Sequence, residues 1–247
     1  MSLLIVHASL SSYGKKMTRL FLIAASLCLF SGTAHSADLT AEFDKRHEEC
    51  LETIAKDAEI AYEDALFWED EGGGRRAKHC VAMALFALGQ EKQAAFKLDQ
   101  LAKASDGGSP AMRANFYSEA ANFWLAANES EKAYASASEG LKIAYDHIDL
   151  RIARARAYAI YGRYDYAETD LTSVLTLDPN HEDAYRYRAD ARFKQDRLDE
   201  AKIDIEKALD LNAASVETAV LRGQINEAIR LEAEGKNAES SAPAQKN

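Results

Sequence analysis

Proline is nearly missing from this chain, with three in 247 residues: Pro110, Pro179 and Pro243. That scarcity, many alanines and alternating charges favour long helices over strands. A basic excess is also missing. Thirty Lys and Arg face 40 Asp and Glu, for a net charge of −10, which argues against a nucleic-acid partner. The negative sign points to no ligand by itself, since a solvated acidic surface accounts for it. Long apolar runs are lacking too. Leu20 to Phe30 has 11 residues, short of the roughly 20 that a membrane-spanning helix needs.

That short run does carry a message. Lys15, Lys16 and Arg19 precede it, and the small and polar stretch Ser31 to Ser36 follows. This is the layout of a secretory signal peptide. Ala34 and Ser36 suit the small −3 and −1 positions, so cleavage is expected before Ala37, with Met17 a more ordinary start than Met1. The expected location is therefore the periplasm or the exterior, with membrane contact only through the transient leader. Removal of residues 1–36 would leave a charge of −13.

Only Cys50 and Cys80 remain beyond the leader. An even pair in an exported chain reads first as a disulfide. Loop-closure entropy assigns such a bond about 3–4 kcal/mol. Two buried thiols are an alternative. A zinc site is another, because His47 and Cys50 share a helical face and His79 adjoins Cys80. Adjacent helical residues point about 100° apart, however, so His79 and Cys80 do not easily face one ion.

A shift of 34 residues aligns the second half of the chain with itself without a gap. Ala121, Ala155, Ala189 and Gly223 form one column, and Ala133, Ala167 and Ala201 another. Leu141, Leu175 and Leu209 form a third, and Ile143, Leu177 and Leu211 a fourth. Small residues recur where two helices must approach closely, while leucines and aromatics recur with the period of an amphipathic helix. One unit reads as helices Ile148–Tyr161 and Tyr164–Leu177, broken at Gly162 and ended by Asp178-Pro179-Asn180. The next reads as Glu182–Gln195 and Leu198–Leu211. Neither hairpin alone can bury both apolar faces, so the units must stack.

At this point the chain resembles the tetratricopeptide repeat family, whose period is 34 residues. Ala155, Tyr158, Gly162, Tyr164, Ala167, Leu171, Leu175 and Pro179 carry the likeness in the unit from Ile148, and further units start at Ala114 and Arg75. The loop from Asp106 to Pro110 absorbs a slip of five residues between those two. The resemblance implies an all-α, right-handed superhelical solenoid of antiparallel helix pairs with about four such units over 75–215. A degenerate helical hairpin is expected over 37–74, a capping helix over 216–233 and a disordered tail over 234–247.

No catalytic constellation emerges, and no cofactor, metal or small-molecule substrate is expected. Gly72-Gly73-Gly74 lacks the Gly-Lys-Ser/Thr of a phosphate loop and reads as a helix terminus. The resemblance instead implies a protein or peptide partner held by first-helix residues: His79, Met83, Phe86, Asn115, Asn122, Arg156, Arg186, Asp190 and Lys194. A scaffold of the bacterial envelope is the leading reading. The alternative is a periplasmic chaperone-like or envelope-assembly factor for unfolded clients. The family's carboxylate clamp needs basic residues that Ser118 and Ile152 do not supply. Arg151, Arg154, Arg156, Arg186, Arg188, Arg192 and Lys194 crowd two neighbouring first helices. They either pair with Asp165, Glu168, Asp170, Asp204 and Glu206 of the second helices or form a basic groove for an acidic partner.

Overall fold

The computed structural model describes residues 32–241, with side chains from 40 to 235. Residues 1–31 of the expected leader lie outside this range, as do residues 242–247. Among the described residues there are 11 helices and no strand. We number them α1 (Gly32–Ile54), α2 (Ala58–Asp70), α3 (Gly74–Ala87), α4 (Glu91–Lys103), α5 (Pro110–Ala126) and α6 (Ser130–Ile143). They continue as α7 (Ile148–Ile160), α8 (Tyr164–Leu177), α9 (Glu182–Phe193), α10 (Leu198–Leu211) and α11 (Val216–Ser241). Consecutive helices pair into five hairpins, α1/α2 to α9/α10, and α11 packs on the last. No described helix is long and apolar enough to cross a membrane.

Local chemistry sets the boundaries. The tight turns inside the last three hairpins each place one residue in the left-handed region. Asn128, Gly162 and Asp196 supply it, with φ of 58°, 69° and 60°, at one 34-residue interval after another. Asn and Asp tolerate that region better than other side-chain-bearing residues. Helix starts are capped by side chains that accept from exposed backbone N–H groups. Asp57 does this for α2 and Ser109 for α5, where Pro110 opens the helix. His147 and His181, one period apart, use Nδ1 for the same purpose at α7 and α9.

The small-residue columns are the close-approach points. Ala121, Ala155 and Ala189 are at most 1% exposed, as are Ala133, Ala167 and Ala201. Gly140 marks the tightest joint. A Cβ there would lie 2.7 Å from both Leu150 methyls and 2.9 Å from Cβ of Tyr117. The same register holds Val174 and Ala208, both fully buried, in the next two hairpins. The core is one continuous cluster from Ala65 to Ala157, followed by two smaller ones around Leu171 and Ile205.

The connection from the first hairpin to the second follows the same logic, with Gly72 at φ 90° ending α2 and α3 starting at Gly74. The C-terminal boundary differs from expectation. The last helix does not stop near Ala233 but continues to Ser241. No proline interrupts the chain between Val216 and Pro243, and Arg230 pairs with Glu234 across one turn, which supports the helix locally.

Candidate partner-binding surface

The first helices α3, α5, α7 and α9 stand side by side, and the nine expected partner-binding residues are distributed along them. The N-terminal members are largely engaged within the chain. His79 is only 8% exposed. Its Nε2 lies 2.8 Å from a Glu119 carboxylate oxygen and its Nδ1 lies 2.8 Å from Nε2 of His47. It therefore ties α1, α3 and α5 together instead of facing outward. Sequence spacing put it on the first-helix face, but the neighbouring helices close over it. Met83 is half-buried against the core, and the Phe86 ring stacks on Phe123 with centroids 3.7 Å apart. Asn115 is exposed and bonds the His147 ring at 2.9 Å.

The C-terminal members form a surface. Nη1 of Arg156 donates to Oδ1 of Asn122 at 3.0 Å, and its guanidinium sits 5.5 Å from the Tyr187 ring. Arg186 approaches the same ring at 4.2 Å while pairing with Asp183 on its own helix. Tyr187 thus holds two guanidiniums from adjacent hairpins, a cation–π arrangement that fixes both long side chains. Asp190 lies beside them with no hydrogen bond or ion pair to its carboxylate among the described residues. Burial pushes its carboxyl above the usual range, against the pull of Lys194 and Arg186. Lys194 is exposed near the Phe193 ring.

Two adjoining cavities share Tyr187 and Asp190. One, of about 220 Å³, is walled by Leu125, Arg156, Ile160 and Leu171. The other, of about 400 Å³, is walled by Arg186, Val216, Val220 and Leu221. Ile160, Val216 and Val220 are 57–70% exposed there. Tyr187 and the α11 valines were not legible as site residues in the sequence, because each stands outside the family's contact positions.

The arginine crowd divides cleanly. Arg154 grips Asp170 through two bonds of 2.7 and 2.8 Å, and Arg188 grips Asp204 through two of 2.8 Å. These forks are one repeat apart. Arg151 adds a bond to Asp170, and Arg192 bridges Asp204 and Glu168 at 2.8 Å each. Burial pushes the Glu168 carboxyl up, but bonds from Arg197 and Arg192 more than offset this and hold it below its usual range. Intramolecular pairing thus takes Arg151, Arg154, Arg188 and Arg192. Arg156 alone of the seven cations on these helices meets the groove wall with neither a carboxylate partner nor full exposure.

Cys50 and Cys80 lie at disulfide distance, with Cα atoms 6.3 Å apart. Among the described residues, no group of three His, Cys, Asp or Glu is arranged to hold a metal ion.

No protein-family model matches the chain. A curated relative, the DnaJ homolog subfamily C member 7 homolog of Dictyostelium discoideum, is 33% identical over 111 residues. That stretch is 43% of this chain but 20% of the relative, so the chain spans about a fifth of the protein it matches. Among solved structures, MamA from Desulfovibrio magneticus RS-1 (residues 41 to the end) superposes with a TM-score of 0.56 at 16% identity. The match covers 67% of this chain and 89% of that one. The first tetratricopeptide domain of human RPAP3 is 26% identical, covering 51% and 98% of the two chains with a TM-score of 0.48. What the MamA likeness adds to the 34-residue period and the observed pairing is fold alone. The chain is an all-helical array of stacked antiparallel hairpins of tetratricopeptide type.

Proposed function

We propose that this protein is an exported scaffold that holds a segment of a partner protein in the groove between α5, α7, α9 and α11. The carrying observation is the Arg156–Tyr187–Arg186 assembly set among exposed apolar residues. It leaves Arg156 beside Ile160, oriented and without a carboxylate partner among the described residues, while Arg151, Arg154, Arg188 and Arg192 of the same two helices are neutralised internally. Such a wall suits a segment with an apolar stretch and a single acidic residue placed to reach Arg156. A polyacidic ligand fits less well, because the Asp190 side chain lines both cavities. The leader-like segment before Ala37, and a cysteine pair placed for a disulfide, support a location in the bacterial periplasm or beyond it.

The test is charge reversal at Arg156 and Arg186 in the full chain, followed by in-cell crosslinking and mass spectrometry. Capture of the wild type's main partner should fall about tenfold or more. The melting temperature should stay within a few degrees, because neither residue closes a buried pair. Undiminished capture by the folded double variant would reject the groove. Intact mass of the mature protein tests the leader and the disulfide together.

A further inference from the structure

A cavity of about 770 Å³ lies elsewhere, at the turn where α7 passes into α8 beside the start of α6. It is lined by Glu131, Tyr134, Tyr158, Tyr161, Arg163 and Tyr166, none of which lines either groove cavity. Four of its six lining residues are tyrosines. The rings of Tyr134 and Tyr158 lie 5.2 Å apart, and Tyr166 stacks on Tyr158 at the same distance. This makes a continuous aromatic floor, yet Tyr134, Tyr161 and Tyr166 remain 37–49% exposed. Both charged residues of the cleft are unspent. Arg163 rests 5.9 Å from the Tyr166 ring and forms no ion pair among the described residues, and neither does Glu131.

The balance of polar groups selects among ligands that stack on tyrosine. Phenols and a guanidinium make the cleft rich in donors, with Glu131 the one charged acceptor. A bare organic cation would be repelled by Arg163. A sugar, whose hydroxyls donate as much as they accept, would call for more acceptors. A proline-rich segment matches: proline has no N–H, and a polyproline II helix leaves its carbonyls unpaired and outward. Its apolar rings lie well on aromatic side chains, and the helix is ordered before it binds. We propose that this tyrosine cleft is a second, independent site that docks a proline-rich segment of another protein. Arg163 and the free phenols donate to its carbonyls, and Glu131 takes a flanking lysine or arginine.

The probe is a fluorescent decaproline peptide with a lysine at each end, titrated into the full chain and followed by anisotropy. Saturable binding is expected. Tyr161→Ala should weaken it about tenfold and Arg163→Gln by a smaller factor. Both side chains are exposed at the end of a helix, so unfolding temperatures should match the wild type. Binding by the Arg156 and Arg186 reversal variant should be unchanged, which separates this site from the groove. Three results would overturn the proposal. One is no saturation by the wild type, and another is equal affinity of the folded Tyr161→Ala variant. The third is saturable binding of tetramethylammonium or chitotriose, lost in Tyr161→Ala, by a wild type that binds no peptide.

Discussion

The two halves of the array share one hairpin geometry but hold their hairpins together with different chemistry. At the register where α7/α8 carries Arg154 and Asp170 and α9/α10 carries Arg188 and Asp204, α5/α6 carries Ala120 and Ser136, both buried. The N-terminal half packs Trp68, Trp124, Phe116, Phe123 and several leucines into one cluster. Its sparse polar contacts include Trp124 and Ser136 bonding the Asp99 carboxylate at 2.8 and 2.7 Å. The C-terminal half has smaller apolar clusters and closes its interior with forked ion pairs whose carboxylates are 2–5% exposed. Apolar burial is non-directional, whereas a forked guanidinium–carboxylate pair works in only one geometry. The first half is therefore held by mass of contact and the second by register.

The sharpest way to break this contrast is in the apolar half. Trp124→Ala removes a 4%-exposed ring and leaves the Asp99 carboxylate with the Ser136 bond alone. Its cost should be about 3–5 kcal/mol, read from urea unfolding and insensitive to added salt. Next is Asp204→Ala, which leaves Arg188 and Arg192 facing an interior gap. About 2–3 kcal/mol is expected, since both guanidiniums retain some solvent. Replacing Asp204, Arg188 and Arg192 together by leucine and methionine should restore stability to within about 1 kcal/mol of wild type. If the triple variant is as unstable as Asp204→Ala, the pairs contribute more than register.

The smallest effect concerns the N-terminal half and pH. Burial, then His79 and Arg76, depress His47 to about 4, against the opposing pull of Glu119 and Asp44. An unfolded histidine takes up a proton below about pH 6.5, while the folded one resists until about pH 4. The neutral form's advantage is thus complete above pH 6.5, shrinks as pH falls, and is gone below about 4. His47 is only half-buried, so on the order of 1 kcal/mol is expected across that window. It should show as a shallower pH slope in His47→Gln than in the wild type. Parallel slopes would remove the histidine from the account.

Most of the architecture was legible because the period is written in packing positions. Ala121, Ala155 and Ala189 are buried where the columns placed them. The second helices Tyr164–Leu177 and Leu198–Leu211 match to the residue. Helix ends that rest on propensity alone were less legible, as α11 shows. The site was legible only in part. A position number says which face a residue starts from, not what closes over it, and so His79 turned inward. Arg154 and Arg156 are neighbours in sequence but about 200° apart around the helix, which is why one is spent on Asp170 and the other meets the groove. The tyrosine cleft draws on three helices at spacings that belong to no period, so no pattern along the chain announces it.

Gly140 has a bearing on all of this. Hairpins in series behave like links of a jointed arm, and the joint between α5/α6 and α7/α8 closes only because position 140 lacks a methyl. A wedge inserted there would not act locally. The angle it opened would be carried undiminished through every later link, swinging Tyr187, Asp190 and the α11 valines as one body relative to Phe86 and Phe123. One hydrogen-sized side chain near the middle thereby sets the distance between the two ends of the first-helix face.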